Sequence, residues 1–427
     1  MARRVAVVSA LVALAACRAP VAPPTPVACA LSVGTGPTAD TLTMAVPGPI
    51  DPGAAPWART DAERILFRQL YEPLIEVACD GAVRPGLASA WRPSDGGRAW
   101  VFTLRAGAAF WDGVPVTAAD VRAAWRVQDT AGVLAPWAGE VASAVAAVDD
   151  TTLVVRLDTA YATVPRAFAD PGLAVAKHVA GLRAPLGTAS YWLDAAVRAP
   201  TAAPLPGRPG PGGPVLVLDH IDRDARDALD AGVDVVVTDD PATIAYAADR
   251  PDLTSLPLPW DRTYVLVRPW RGGAAPDGAA LARDAVRVEA RAGGLPDWWA
   301  EAARCGVRTA AAEPTPPSAD APIAYARDDL VARGLAERLA GVASDRRAVG
   351  YGAAAFAALL ASGGAAEAVL ALPRVALDPC LALRRLRIEA QAMTGDVLPL
   401  VDVRRRLIAR GPVSGVYLDW DGVPRWR

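Results

Sequence analysis

Apolar and polar positions along this chain follow two periods, and the switches between them mark the elements. Over residues 99–105 large apolar side chains fall on alternate positions, with Trp100, Phe102 and Leu104 on one face. That period of two predicts a half-buried strand. Asp95-Gly96 before it and Asp112-Gly113 after it are turn pairs. Residues 152–158 alternate in the same way. Residues 41–46 do so more weakly, and Pro47, Pro49, Asp51 and Pro52 end that strand. A helical period follows over about 61–71, where Ile65, Leu66 and Leu70 share a face. Thr117-Ala118-Ala119-Asp120 opens a second helix, with the Thr117 side chain accepting the free amide of Asp120. Val121, Ala124 and Trp125 continue it at helical spacing. Trp91, Trp100 and Phe102 are read as core.

Beyond residue 200 the pattern changes character. Residues 201–214 are rich in Pro and Gly and read as a loop. A strand at 215–218, a helix at 222–231 and a strand at 233–238 make a β-α-β unit, which implies parallel pairing in an α/β layer. A further strand spans 263–267. Residues 271–320 carry little pattern. A strand at 323–326, a helix to about 339 and a strand at 369–372 predict a second α/β region. The chain closes with a strand at 416–418, the turn Asp421-Gly422 and Trp426.

Composition narrows the class. The 427 residues are 52% hydrophobic and 21% charged, a globular balance long enough for two to three domains. A formal net charge of −2 gives no reason to expect nucleic-acid binding. Met1-Ala2-Arg3-Arg4 is a small basic region, followed by an apolar run over 5–16. That run is well short of the ~20 residues a membrane-spanning helix needs. It ends in Leu14-Ala15-Ala16-Cys17, which looks like a lipobox, so Cys17 is the expected lipidation site and 1–17 the expected lipoprotein signal peptide. Residues 18–38, rich in Pro and Ala, read as a tether between the lipid and the fold. The expected location is therefore extracytoplasmic, anchored to a membrane. Four other cysteines permit three pairings, of which Cys29–Cys79 with Cys305–Cys380 is the simplest. His178 and His220 sit in unremarkable settings, and no G-x-S-x-G elbow, phosphate loop or H-E-x-x-H is present. No catalytic motif speaks for an enzyme, and no metal or cofactor is implied.

Several segments resemble a known family. Leu70-Tyr71-Glu72-Pro73-Leu74-Ile75 is similar to a "v-Y-E-x-L" helix end. Asp80-Gly81 followed by Pro85-Gly86-Leu87-Ala88-Ser89-Ala90-Trp91 is similar to "d-G-x-x-x-P-x-L-A-x-x-W". Trp100 to Gly107, Phe110-Trp111-Asp112-Gly113 and Val116 to Val121 together resemble "F-x-L-R-x-G-x-x-F-x-D-G-x-x-V-T-A-x-D-V". Weaker echoes lie at Pro185 to Tyr191, at Ala231 to Asp234, and in the closing stretch from Val413 to Val423. These motifs belong to extracellular solute-binding protein family 5, the peptide-, dipeptide- and nickel-binding proteins of ABC importers. The resemblance is strong over 40–120, moderate over 180–265 and weak over 270–400.

It implies a periplasmic-binding-protein type II-like α/β fold: two lobes joined by hinge strands, with an extra subdomain on the first lobe. The expected division is 39–70, 180–262 and 400–427 for lobe I, 71–179 for the extra subdomain and 263–399 for a shortened lobe II. The implied function is capture of a small ligand, most simply a peptide, by a monomer that delivers it to an ABC permease. A sensory or scaffold protein that kept the fold is the rival reading, as is a non-peptide ligand such as an oligosaccharide or metal chelate. Gly187, Thr188 and Tyr191 are candidates leading into the hinge. Asp239 and Asp240 end a predicted strand. Trp260, Arg262 and Tyr264 begin the strand entering lobe II, and Trp111 borders a turn. An aspartate there would hold a peptide's ammonium, an arginine its carboxylate, and aromatic faces its side chains. For Asp239-Asp240-Pro241 a plain turn and helix cap is the competing reading, and for Trp260 and Tyr264 wall packing.

Overall fold

The structure, a computed structural model, describes residues 29–34, 39–130, 144–158, 160–194, 201–204, 214–221, 224–258, 262–268, 322–341, 346–362, 364–365, 367–373 and 396–426. Cys17, Trp260, Cys305 and Cys380 lie outside them.

The first lobe is built on a seven-stranded sheet. Its strands are β2 (Thr41–Pro47), β9 (Tyr191–Asp194), β10 (Thr201–Pro204), β11 (Val215–Ile221), β12 (Val235–Thr238), β13 (Thr254–Pro257) and β19 (Arg406–Ala409), in the order β13-β19-β12-β2-β11-β10-β9. The β-α-β unit is present with a modification. β11 and β12 are parallel, but each pairs with β2, which lies between them. The helix joining them, α3 (Ala225–Asp230), starts later than the apolar pattern predicts because Asp224 caps it, accepting from the Arg226 amide. Strand alternation sorts the side chains by face. Leu42, Met44, Leu216, Leu218, Val235, Val237 and Leu407 pack with Ile65 and Leu66 of α1 (Asp61–Leu70). Ala45, Val236 and Ile408 pack on the other face with Leu229 of α3 and Ala247 of α4 (Pro241–Ala248). Both faces of this mixed sheet are covered, as the parallel strands β12, β2 and β11 at its centre require.

The strand predicted over 99–105 is β6 (Ala99–Leu104). It lies between β5 (Ala88–Ser94) and β8 (Thr152–Arg156), with β7 (Val145–Ala147) at the edge. Trp100, Phe102 and Leu104 are buried as the alternation requires, and Phe102 meets Phe168 edge-on. Helix α2 (Ala118–Thr130) packs Val121 and Trp125 onto this sheet, and Trp125 donates its indole N–H to the Leu173 carbonyl. At its start Thr117 and Asp120 exchange side-chain and backbone bonds as expected. A short ribbon of β3 (Ile75–Val77) and β4 (Val83–Pro85) joins this subdomain to α1.

The second lobe has a five-stranded sheet of order β16-β15-β17-β14-β18. It comprises β14 (Arg262–Arg268), β15 (Ile323–Ala326), β16 (Ala348–Tyr351), β17 (Glu367–Pro373) and β18 (Asp396–Val403). Tyr264, Leu266, Ile323 and Val369 face Leu335 and Leu339 of α5 (Leu330–Gly341). Val265, Val267, Leu370, and Phe356 and Leu360 of α6 (Ala353–Ala361), belong to the apolar cluster that includes the subdomain core. A three-stranded sheet of β1 (Ala30–Val33), β20 (Val413–Leu418) and β21 (Pro424–Trp426) closes the chain back onto its start. The Cys29–Cys79 disulfide ties that start to the end of β3.

Candidate functional site

The register places the lobe junction at one edge of the first sheet. β12 runs parallel to β2, and its last residue, Thr238, pairs with Arg406, the first of β19. Arg406 also stands opposite Pro257, the last residue of β13. Both crossings to the second lobe, β13 to β14 and β18 to β19, therefore leave the sheet beside the carboxyl end of a parallel strand. That is where open α/β sheets bind ligands. The crossings run side by side: the Leu258 amide donates to the Arg405 carbonyl at 2.9 Å, and Arg262 stands opposite Val403.

A charged cluster occupies this junction. Asp61, the first residue of α1, accepts from Arg262 Nη2 through both oxygens, at 2.9 and 2.8 Å. Arg405 Nη1 approaches the same carboxylate at 3.3 Å. Asp239, just beyond β12, lies 3.8 Å from Arg262 Nη1. Burial alone would raise the Asp61 pKa, but Arg262, Arg405 and Arg64 outweigh it and hold the carboxyl well below the usual range. Tyr264, two residues along β14, donates its hydroxyl to Asp329 at 2.9 Å. Asp329 in turn accepts from the Ala332 amide in the first turn of α5. Burial pushes the Tyr264 hydroxyl up, and Asp329 reinforces the shift; burial likewise raises Asp329.

The sequence candidates thus divide into two groups. Arg262, Tyr264 and Asp239 come together at the junction. Arg262 is held there by the protein's own Asp61. Asp240 is a helix cap, accepting from the Ala242 and Thr243 amides and the Thr243 hydroxyl at the start of α4. Gly187, Thr188, Tyr191 and Trp111 form a second, packed group. The Trp111 amide donates to the Gly187 carbonyl at 3.1 Å, and the Trp111 ring lies 5.7 Å from that of Tyr71. Thr188 and Tyr191 are buried, and Tyr191 donates its hydroxyl to the Pro214 carbonyl. Trp111 keeps partial exposure.

The motif reading missed Asp61, Arg405 and Asp329. Asp61 lies within a Thr60-x-x-Glu63 capping box whose pattern is legible in the sequence. Arg404-Arg405-Arg406, three consecutive cations between an apolar strand of each lobe, is the other local signal. A second ionic chain, also unseen, begins two turns along α1. Arg68 donates to Asp419 at 3.1 Å and to Asp421 at 2.9 Å, and Arg425 donates to Glu76 at 2.5 Å, all of them buried.

Comparison with known proteins agrees with this geometry. Residues 82–203 match the sequence profile of the bacterial extracellular solute-binding proteins, family 5 Middle. The chain is 31% identical over 157 residues to the probable deoxycholate-binding periplasmic protein YgiS of Escherichia coli (strain K12), a stretch covering 31% of this chain and 29% of YgiS. It is 29% identical over 179 residues to the nickel-binding periplasmic protein of the same strain, covering 39% and 34%. Each match spans about a third of the relative's own length. NikA from Brucella suis, solved in complex with Fe(III)-EDTA, superposes with a TM-score of 0.63 at 15% identity, over 86% of this chain and 95% of NikA. The dipeptide-binding protein of Pseudoalteromonas sp. SM9913, solved with Met-Leu, gives 0.63 at 14% identity, over 90% and 98%. At such identities the likeness speaks to the fold, the two-lobed type II architecture. Together, the matched motifs, the profile and the shared fold carry one conclusion: residues 82–203 are similar to the bacterial extracellular solute-binding proteins of family 5, and the chain shares the fold of their solved relatives.

Proposed function

We propose that this protein is the extracytoplasmic receptor of an ABC importer. It captures a small peptide-like ligand between its lobes as a monomer, and passes it to a membrane permease. One observation carries the reading. Both inter-lobe crossings leave the first sheet at the carboxyl end of its parallel strands, where an α/β sheet presents a ligand site. A ligand touching both lobes stabilises the closed form by its differential affinity. Asp239 offers a carboxylate for an ammonium group there, and Trp111 an aromatic face farther along the first lobe. Lipidation at Cys17 would hold the receptor at the membrane, and the lobe boundaries at 70–71 and 179–180 belong to the same reading, with the other two shifted to Arg262 and Val403, where β14 begins and β18 ends.

The test is mass spectrometry of small molecules released from protein purified from its native host, followed by calorimetric titration of those identified. Short peptides bound one per chain are expected. Hydrolytic turnover of the bound molecule would replace the receptor by an enzyme. The short sequence available for lobe II favours a second reading, a sensor that kept the fold. Deletion of the gene separates the two: lost uptake of the bound ligand supports transport, and unimpaired uptake supports sensing.

A further inference from the structure

We propose that Asp61 is a fulcrum: one carboxylate that ties both inter-lobe crossings to the first lobe and so sets the angle between the lobes before any ligand binds. The carboxylate is well placed to act as a fixed point. It opens α1, whose start is locked by a capping box in which the Glu63 amide donates to Thr60 Oγ1 and Glu63 accepts from the Asp51, Arg59 and Thr60 amides. One and two turns later Arg64 and Arg68 bind Asp421, and Arg68 also binds Asp419, which fixes the helix to the closing hairpin of the same lobe.

From that fixed point Asp61 reaches each crossing once. Arg262 is the first residue of β14, on the outbound crossing, and its guanidinium meets both Asp61 oxygens. Arg405 lies on the return crossing and meets Oδ1. Asp239 adds a second carboxylate to Arg262 from the end of β12. Two residues beyond Arg262, Tyr264 is held from the opposite side through Asp329, which caps a helix of the second lobe. Residues 262–264 are thus gripped by the first lobe at one end and by the second at the other. The backbone of Arg262 is fixed in the second-lobe sheet, opposite Pro373 of β17 and Val403 of β18, so rotation of that lobe about the paired crossings pulls directly on the Asp61–Arg262 pair. Arg262 and Asp61 are only 13% and 16% exposed, so solvent screens the pair weakly. Arg405, 1% exposed, keeps its contact with Asp61 on the first-lobe side. The strained member of the set during opening is therefore Arg262.

The experiment is small-angle scattering on the full chain with no ligand added, so it is independent of what the protein binds. Asp61→Asn is expected to enlarge the radius of gyration and broaden the pair-distance distribution relative to the parent chain. Arg262→Met, which leaves the Asp61–Arg405 pair in place, is expected to do the same. Arg333→Ala, which removes an exposed pair with Glu337 within α5, is expected to leave the curve unchanged. If Asp61→Asn fails to fold, Arg262→Met decides the matter alone. Scattering from a cooperatively melting Arg262→Met chain that superposes on the parent curve would overturn the proposal.

Discussion

Gly187 shows how much a single residue of the recognition motif does by its size. The chain passes between the Leu70 carbonyl and the Trp111 indole, and a Cβ added at Gly187 would collide with both. The neighbours have little room to yield, because the Trp111 amide is bonded to the Gly187 carbonyl and the Ala189 amide to the Leu70 carbonyl. Gly187→Ala is therefore expected to destabilise by at least the ~1–3 kcal/mol typical of overpacking. It would lower the thermal midpoint, and an unchanged midpoint would contradict the packing described. At this scale the sequence was legible where a motif recurs and silent about what packs against it. The resemblance singled out Gly187, Thr188 and Tyr191 as ligand candidates; in the fold Gly187 is held by close packing, Thr188 is buried, and Tyr191 donates to the Pro214 carbonyl. Asp240 likewise serves the first turn of α4. Asp61 went unnoticed because nothing in its neighbourhood distinguishes a helix-opening aspartate that caps from one that meets arginines 201 and 344 positions away.

The elements themselves were readable from period and turn chemistry. α1, β6, the start of α2 and the β11-α3-β12 unit all follow from local spacing, because each buries one face and the spacing records which. What period does not record is how elements are fastened together. β2 separates β11 from β12 because strand order is set by crossover geometry over long separations. The fastening of α1 to the closing hairpin is likewise non-local: Arg68 bridges Asp419 and Asp421, more than 350 positions away, with all three side chains buried. Removing the cation leaves two carboxylates in a low-dielectric site with reduced compensation. Arg68→Met is expected to cost about 3–5 kcal/mol, as breaking a buried ion pair from one side does. Urea unfolding checks it. A loss under about 1 kcal/mol would mean the pair is no stronger than an exposed one.

Across the whole molecule the same charges that join lobe, hairpin and hinge predict how stability responds to acid. Two carboxyls are held ionised by arginines despite burial: Asp61 by Arg262, Arg405 and Arg64, and Asp421, lowered to about 2, by Arg68, Arg64 and Arg405. An unfolded aspartate titrates near 3.9. Below that value the unfolded chain binds protons that these two folded sites still refuse, so their stabilisation is complete above about pH 4 and is lost as pH falls further. Asp419 acts in the opposite sense. Burial, with Glu76 and Asp421 nearby, outweighs Arg425 and Arg68 and raises it to about 6. Its ionisation opposes folding above that value and is relieved below it. The two tendencies together predict a urea midpoint that holds or rises slightly from pH 7 to pH 5 and then drops steeply below pH 4. Asp61→Asn removes one of these two buried groups, so its acid limb must be shallower than that of the parent chain while the rise between pH 7 and 5 is retained. Equal acid slopes in the two proteins would mean that Asp61 does not hold its charge against the arginines of the crossings, and the fulcrum would lose the electrostatic grip on which it depends.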